Sequence, residues 1–294
     1  MASSNPVPLN SMQQIVVGET QANVSNLTTT LQVATGGVID QIFLDFGAAT
    51  EAQIRSEITG NIRLSFDGRQ IVNCKASRLL DFYKCLGSMA GGNGVLVAGN
   101  IPLNIGPLMY RDPQAGLFLG LGTADSQNIQ IAIDCGVIVA CTAVTVRIVK
   151  RPINQILGTY ASFIDYPRTY AAVGEDYNST LPRTANTAYL AMMICGGATG
   201  IISSSEIMIG SVPVRQRVPK TVNDWNNRAY GFATDAADAA GNGQYFVHML
   251  GKGDLTSYLG MKNVTDLSVN TTFSTAPTND YIITPLVLNQ FAGV

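Results

Sequence analysis

A pattern that occurs twice limits what this chain can become. From Ile62 the sequence runs Ile-Arg-Leu-Ser-Phe, then Asp67-Gly68, then Arg69-Gln70-Ile71-Val72. Apolar and polar residues alternate in the first block, which marks a strand with one buried face. Asp-Gly suits a two-residue hairpin, because both residues tolerate positive φ. A short helix is expected next. Ser77 is its expected cap, Leu79, Phe82, Tyr83 and Leu86 share one face, and Gly87 is the expected left-handed stop.

The second copy begins at Glu206. Glu206 to Ile209 reads as a strand, Gly210-Ser211 as the turn, and Val212 to Arg215 as the return. Thr221 is the expected cap, Val222, Trp225 and Ala229 the expected apolar face, and Gly231 the stop. Gly210 lies 142 residues after Gly68, Thr221 lies 144 after Ser77, and Gly231 lies 144 after Gly87. Phe82 and Trp225 fall in corresponding places, and each is expected to be a buried anchor of its helix. Five elements in one order at a nearly constant offset indicate an internal duplication.

The flanking segments extend the match. Thr28 to Val33 and Val38 to Leu44 read as strands, and Ala48 to Ser56 as a helical turn. Val95 to Pro102, Leu117 to Leu119, Gln127 to Asp134 and Ala143 to Val149 complete the strands of the first half. Lys150-Arg151-Pro152 closes it, since proline cannot donate to a ladder. In the second half Tyr189 to Ile194 corresponds to Val38 to Leu44, and Tyr245 to Leu250 is a strand. Leu267 to Val269 lies 138 residues after Ile129 to Ile131, and Tyr281 to Leu288 corresponds to Ala143 to Val149. Residues 1 to 15 read as a polar arm. Tyr160 to Pro182 reads as an extended connection. The expected division is therefore an arm at 1–15, a first repeat at 16–152 and a second at 153–294.

Many short strands with turn signals between them indicate an all-β sandwich or jelly roll. A parallel α/β fold would need a helix after nearly every strand. The expected fold is thus two tandem eight-stranded jelly rolls, each with one short flanking helix.

Composition narrows the function. Charged residues make up 13% of the chain and hydrophobic residues 46%. Charge that sparse, against about 25% in ordinary domains, points to surface covered by protein neighbours. The net charge of −2 provides no basic patch for phosphates, so direct nucleic-acid binding is not expected. The first residues carry no secretory pattern, and no apolar run reaches the ~20 residues of a membrane span. Cys74, Cys85, Cys135, Cys141 and Cys195 form no zinc spacing and read as reduced thiols.

His248, the one histidine, sits in a strand-like run with no GxSxG serine elsewhere, so it reads as structural. Gly91-Gly92-Asn93-Gly94 and Gly196 to Gly200 lack the Lys-Ser/Thr of a phosphate loop and read as turns. Glu175-Asp176 and Asp235 with Asp238 are adjacent carboxylates that read as solvated loop acids. Asp235 to Asp238 also lacks the alternating spacing of a calcium loop. No catalytic, cofactor or metal-ligating residue is assigned, and structural calcium between subunits stays an open alternative. Asn23, Asn26, Asn178, Asn263 and Asn270 begin Asn-x-Ser/Thr triplets, expected by chance in a chain of this composition.

Thr28 to Gly47, Asn61 to Gly87 with its Asp67-Gly68-Arg69, Leu181-Pro182-Arg183 leading into Tyr189 to Gly197, and Ser205 to Gly231 follow a familiar order. In that order the chain resembles the double jelly-roll major capsid proteins of tailless icosahedral bacteriophages with an internal membrane, nearest the short corticovirus type. The arm and the Tyr160 to Pro182 connection depart from the pattern. The resemblance implies a non-enzymatic subunit that forms pseudo-hexagonal homotrimeric capsomers. It implies contacts with neighbouring capsomers, with minor capsid and penton proteins, and of the termini with the viral membrane. It places the protein in the virion after assembly in the host cytoplasm. A carbohydrate-binding jelly roll, such as a viral spike or lectin, is the alternative.

Overall fold

The computed structural model describes residues 14–22, 25–33, 35–86, 99–105, 120–123, 128–152, 159–197, 201–230, 232, 243–249, 258–277 and 281–290. The arm up to residue 13, the glycine stops Gly87 and Gly231, Leu117 to Leu119 and the Gly91 to Gly94 loop lie outside these residues. Chain contacts divide the described residues into two compact units. The first comprises residues up to Ser77 and from 99 to Ala161. The second comprises Arg78 to 86 and Ser162 to Gln290.

The first unit is a sandwich of two antiparallel sheets. One has the order β1 (Gln14–Ala22), β9 (Ala143–Arg151), β3 (Val38–Asp45), β6 (Asn100–Asn104), with the short β7 (Leu121–Gly122) also on β3. The other has the order β5 (Arg69–Lys75), β4 (Asn61–Phe66), β8 (Ile129–Asp134), β2 (Thr28–Gln32). Alternation builds the core. Ile62, Leu64 and Phe66 of β4 and Ile129, Ile131 and Ile133 of β8 all point inward. Ile131 is centred between Leu64 and Leu31 on its two neighbouring strands.

The β4–β5 hairpin is the expected one. Asp67 and Gly68 both adopt positive φ, 44° and 80°, as a type I′ turn requires. The tip is tied down by a reciprocal pair, Asp67 N–H donating to Asn128 O at 2.8 Å and the Asp67 carboxylate accepting from Asn128 N–H at 2.9 Å. Helix α1 (Glu51–Glu57) is a full helix with a capping box. Thr50 Oγ1 accepts from Gln53 N–H and the Gln53 side chain accepts from Thr50 N–H.

The second unit repeats the plan. Its sheets have the orders β10 (Thr159–Ile164), β19 (Tyr281–Gln290), β13 (Thr187–Cys195), β16 (Gln244–His248), and β15 (Val212–Pro219), β14 (Ile202–Ile209), β18 (Leu267–Phe273), β12 (Gly174–Asn178). Every position matches: β10 stands for β1, β19 for β9, β13 for β3, β16 for β6, and the second sheet likewise. Even β7 has a counterpart in β17 (Leu259–Gly260), which pairs with β13 as β7 does with β3. Tyr189, Met192, Ile194, Tyr245, Val269 and Tyr281 are among the core side chains. The structure thus has the double jelly-roll fold.

Four expectations need correction. Tyr160 to Pro182 is not an open connection; it holds β10, β11 (Tyr166–Arg168) and β12, with β11 on β19 and β12 on β18. The first strand starts at Gln14, inside the expected arm, and pairs with β9. Ser77 lies within helix α2 (Ala76–Leu86) rather than before it, and helix α3 (Lys220–Ala229) has Pro219, not Thr221, at its N-cap. The fourth concerns the outward face of α3.

Candidate interaction surface

In the second unit β16 is an edge strand, so alternate carbonyls along it face away from β13 and need donors. They receive them from side chains. Gln244 O accepts from Lys220 Nζ at 2.7 Å, Phe246 O from Asn223 Nδ2 at 2.8 Å and from Asn227 Nδ2 at 3.0 Å, and His248 O from Arg215 Nη1 at 3.4 Å. Helix α3 therefore docks through polar side chains. Its buried residues are Asn223 and Asn227.

That docking turns the apolar stripe outward. Val222 is exposed and Trp225, the only tryptophan, is 69% exposed. The expected burial of Val222, Trp225 and Ala229 is overturned: the stripe is present at helical spacing, but Asn223 and Asn227 occupy the inward face. Strand β15, which leads into α3, is the edge of its own sheet and is also exposed, Val212 and Val214 included. Its first-repeat counterpart β5 buries Ile71 and Val72. Val212, Val214, Val222 and Trp225 are thus exposed apolar side chains of β15 and α3, among others in the second unit.

Among the described residues the first unit has an open edge of its own. β1 ends the sheet β1-β9-β3-β6, and Ile15 and Val17 are exposed on it. The residues in register across this sheet are Val17, Arg147, Phe43 and Pro102; none of the four is fully buried. Val137 and Val139 are exposed on the loop after β8. That loop is anchored by Glu57 at the end of α1, whose carboxylate accepts from the N–H groups of Val139, Ala140 and Cys141. Burial disfavours its charge, but these bonds outweigh it and hold the Glu57 pKa below the usual value.

The residues weighed for chemistry do not converge. His248 is buried, stacked on Phe232 at 4.1 Å and edge-on to Tyr230, and neither ring nitrogen has a hydrogen-bond partner among the described residues. Burial, then the Arg215 guanidinium, push its pKa down to about 4. Among the described residues no acid orients it as a general base. Glu175 and Asp176 point to opposite faces of β12. Glu175 pairs with Arg217, while Asp176 accepts from Arg168 and from the Tyr281 hydroxyl at 2.7 Å. No group of three His, Cys, Asp or Glu that could hold a metal occurs among the described residues. Asp235 and Asp238 lie outside them, as does Asn23.

The five cysteines are free thiols. Cys141 is pushed up to about 12 by burial and by neighbouring Glu57, and Cys135 to about 11 by burial and Asp134, so both stay protonated. Asn178 and Asn270 are buried. Asn26 and Asn263 occupy positive-φ turns. Gly197 also has positive φ, consistent with a turn there.

The chain matches no protein-family model and no curated protein sequence. Solved structures share its fold. The major capsid protein P2 from bacteriophage PM2 superposes with a TM-score of 0.78 at 15% identity, over 96% of this chain and 99% of that one. A chain in the atomic structure of Sulfolobus Turreted Icosahedral Virus gives 0.68 at 11%, over 95% and 91%. PBCV-1 VP54, fitted into a reconstruction of the virophage Sputnik, gives 0.63 at 11%, over 96% and 95%.

Proposed function

We propose that this chain is the major capsid protein of an icosahedral virus, a structural subunit rather than an enzyme. The observation that carries the reading is a jelly roll built twice, with edge strands β1 and β15 and the outer stripe of α3 left uncovered. Exposed edges are adhesive, and a subunit that assembles with its own copies covers them. Three copies bring six jelly rolls together, which gives a trimer an almost sixfold outline suited to a hexagonal lattice. The fold shared with P2 of bacteriophage PM2 supports this assignment. The carbohydrate-binding alternative draws no support from these likenesses.

In this reading 16–152 and 153–294 are the duplicated repeats. Neighbouring capsomers, minor capsid and penton proteins are the partners, and the termini meet a membrane beneath the shell. Assembly takes place in the host cytoplasm, and nucleic acid is not contacted directly.

The test is to purify the expressed protein and determine its mass by light scattering and its assemblies by electron microscopy. Trimers that pack into hexagonal sheets or closed shells are expected. A protein that stays monomeric at every concentration would remove the proposal.

A further inference from the structure

The two repeats treat their helices differently, and the difference identifies an interface. Helix α2 comes from the first repeat, yet its residues from Arg78 onward are part of the second unit. There it roofs the sheet β10-β19-β13-β16. Phe82 packs edge-on against Phe163 of β10 at 5.2 Å and against Phe246 of β16 at 5.5 Å. Arg78 Nε bonds Asp165 at 2.8 Å, and Cys85 Sγ lies 3.7 Å from Gln244 Oε1. Arg78, Phe82 and Cys85 are one helical face, spaced i, i+4 and i+7.

The same face of α3 is the exposed one. The helices begin at Ala76 and Lys220, 144 residues apart. At that offset Arg78 corresponds to Val222, Phe82 to Asn226 and Cys85 to Ala229, and Trp225 adjoins Asn226 on the exposed stripe. The sheet that α3 would need is also present, and among the described residues its outer face is partly exposed. β1 and β6 hold the places in the first unit that β10 and β16 hold in the second. At the same offset Phe246 corresponds to Pro102 and Val17 to Ala161, two residues from Phe163 and therefore on the same strand face. The row Val17, Arg147, Phe43, Pro102 crosses that face.

Resting on the capsid reading, we infer that the Val222–Trp225–Ala229 face of α3 docks on the outer face of the β1-β9-β3-β6 sheet of a second copy of this chain. Trp225 takes the place over Val17, Phe43 and Pro102 that Phe82 takes over Phe163 and Phe246. Arg147, whose Nε is held by Asp45 at 2.6 Å, presents the face of its guanidinium to the indole. The contact is heterologous, one surface of one copy against a different surface of the next, and such contacts form a ring such as a trimer where the rotation between copies closes.

The test uses the full chain with Trp225→Asp and Val17→Asp, both at side chains exposed in the single chain. Mass by light scattering and melting are measured together. Each variant is expected to melt as the wild type does but to lose the trimer. Mixed in equal amounts, the two are expected to form a heterodimer, because the first retains an intact β1 face and the second an intact α3 face. Trimers that survive either substitution would overturn the inference, as would a mixture that stays monomeric. A wild type that never trimerises would instead remove the capsid reading itself.

Discussion

Phe82 and Trp225 occupy corresponding helices of the two repeats, and they have opposite environments. Phe82 is fully buried between Phe163 and Phe246, whereas Trp225 is 69% exposed. Aromatic side chains one position apart on corresponding helices therefore serve different purposes: one holds a unit together and the other remains open on its surface.

The first prediction follows from that contrast. Phe82→Ala removes a fully buried ring and should cost about 3–5 kcal/mol. Trp225→Ala removes a ring already in water and should change the stability of the dissociated chain by no more than about 0.5 kcal/mol. Urea denaturation at low protein concentration compares them. Equal losses would contradict the assigned burial.

Helix α3 supplies the second. Asn223 and Asn227 both donate to Phe246 O, an outward carbonyl of the edge strand β16. Replacing both with Ala leaves that carbonyl without their amides and should cost about 1–3 kcal/mol. Asn227→Ala leaves the Asn223 donor in place and should cost less than half the double, whereas Asn223→Ala also takes an acceptor from Arg215 and should cost more than Asn227→Ala. Additive single losses in denaturation would argue against a shared acceptor.

These asparagines also explain where the sequence was legible and where it was not. The hairpin turn at Asp67-Gly68, the inward isoleucines of β8 and the matched order of strands are local signals, and the structure reproduces them. The outward turn of Trp225 is not local. An apolar stripe at helical spacing looks the same whether it faces its own core or another molecule, and only the outward carbonyls of β16, which need donors, decide that Asn223 and Asn227 face inward. β11 was hidden for a related reason: Tyr166-Pro167-Arg168 is three residues long with a proline, and only its pairing with β19 makes it a strand. β1 was divided by an expected arm because its outer residues, Ile15 and Val17, are not covered within the chain.

The third prediction concerns Asp40 and Arg151, a buried two-pronged ion pair in the first unit, with Nε to Oδ1 at 3.0 Å and Nη2 to Oδ1 at 2.8 Å. Asp40→Leu or Arg151→Met alone leaves a charge in the interior and should cost about 3–5 kcal/mol. The double variant removes both charges and should recover most of that loss. A double variant as unstable as the sum of the singles, in a denaturation cycle, would show that the charges do not depend on each other.

The last prediction is a pH dependence in the second unit. His248 is buried against Phe232 and Tyr230 with Arg215 nearby, and its pKa in the folded state is pushed down to about 4 from 6.5. The unfolded chain therefore takes up a proton before the folded one does. The stability that His248 contributes is fully present above pH 6.5 and is lost as pH falls towards 4, on the order of 3 kcal/mol over that window. Asp176, buried but bonded to Arg168 and Tyr281, has a folded pKa below the usual carboxylate value. Its contribution is lost at more acidic pH, below its unfolded value of 3.8. Stability measured by denaturation at a series of pH values should thus fall in two steps, the first between 6.5 and 4. His248→Phe keeps an aromatic ring against Phe232 but cannot titrate, so it should flatten the first step and leave the second. A wild-type slope that persists in the variant would assign the first step to another group.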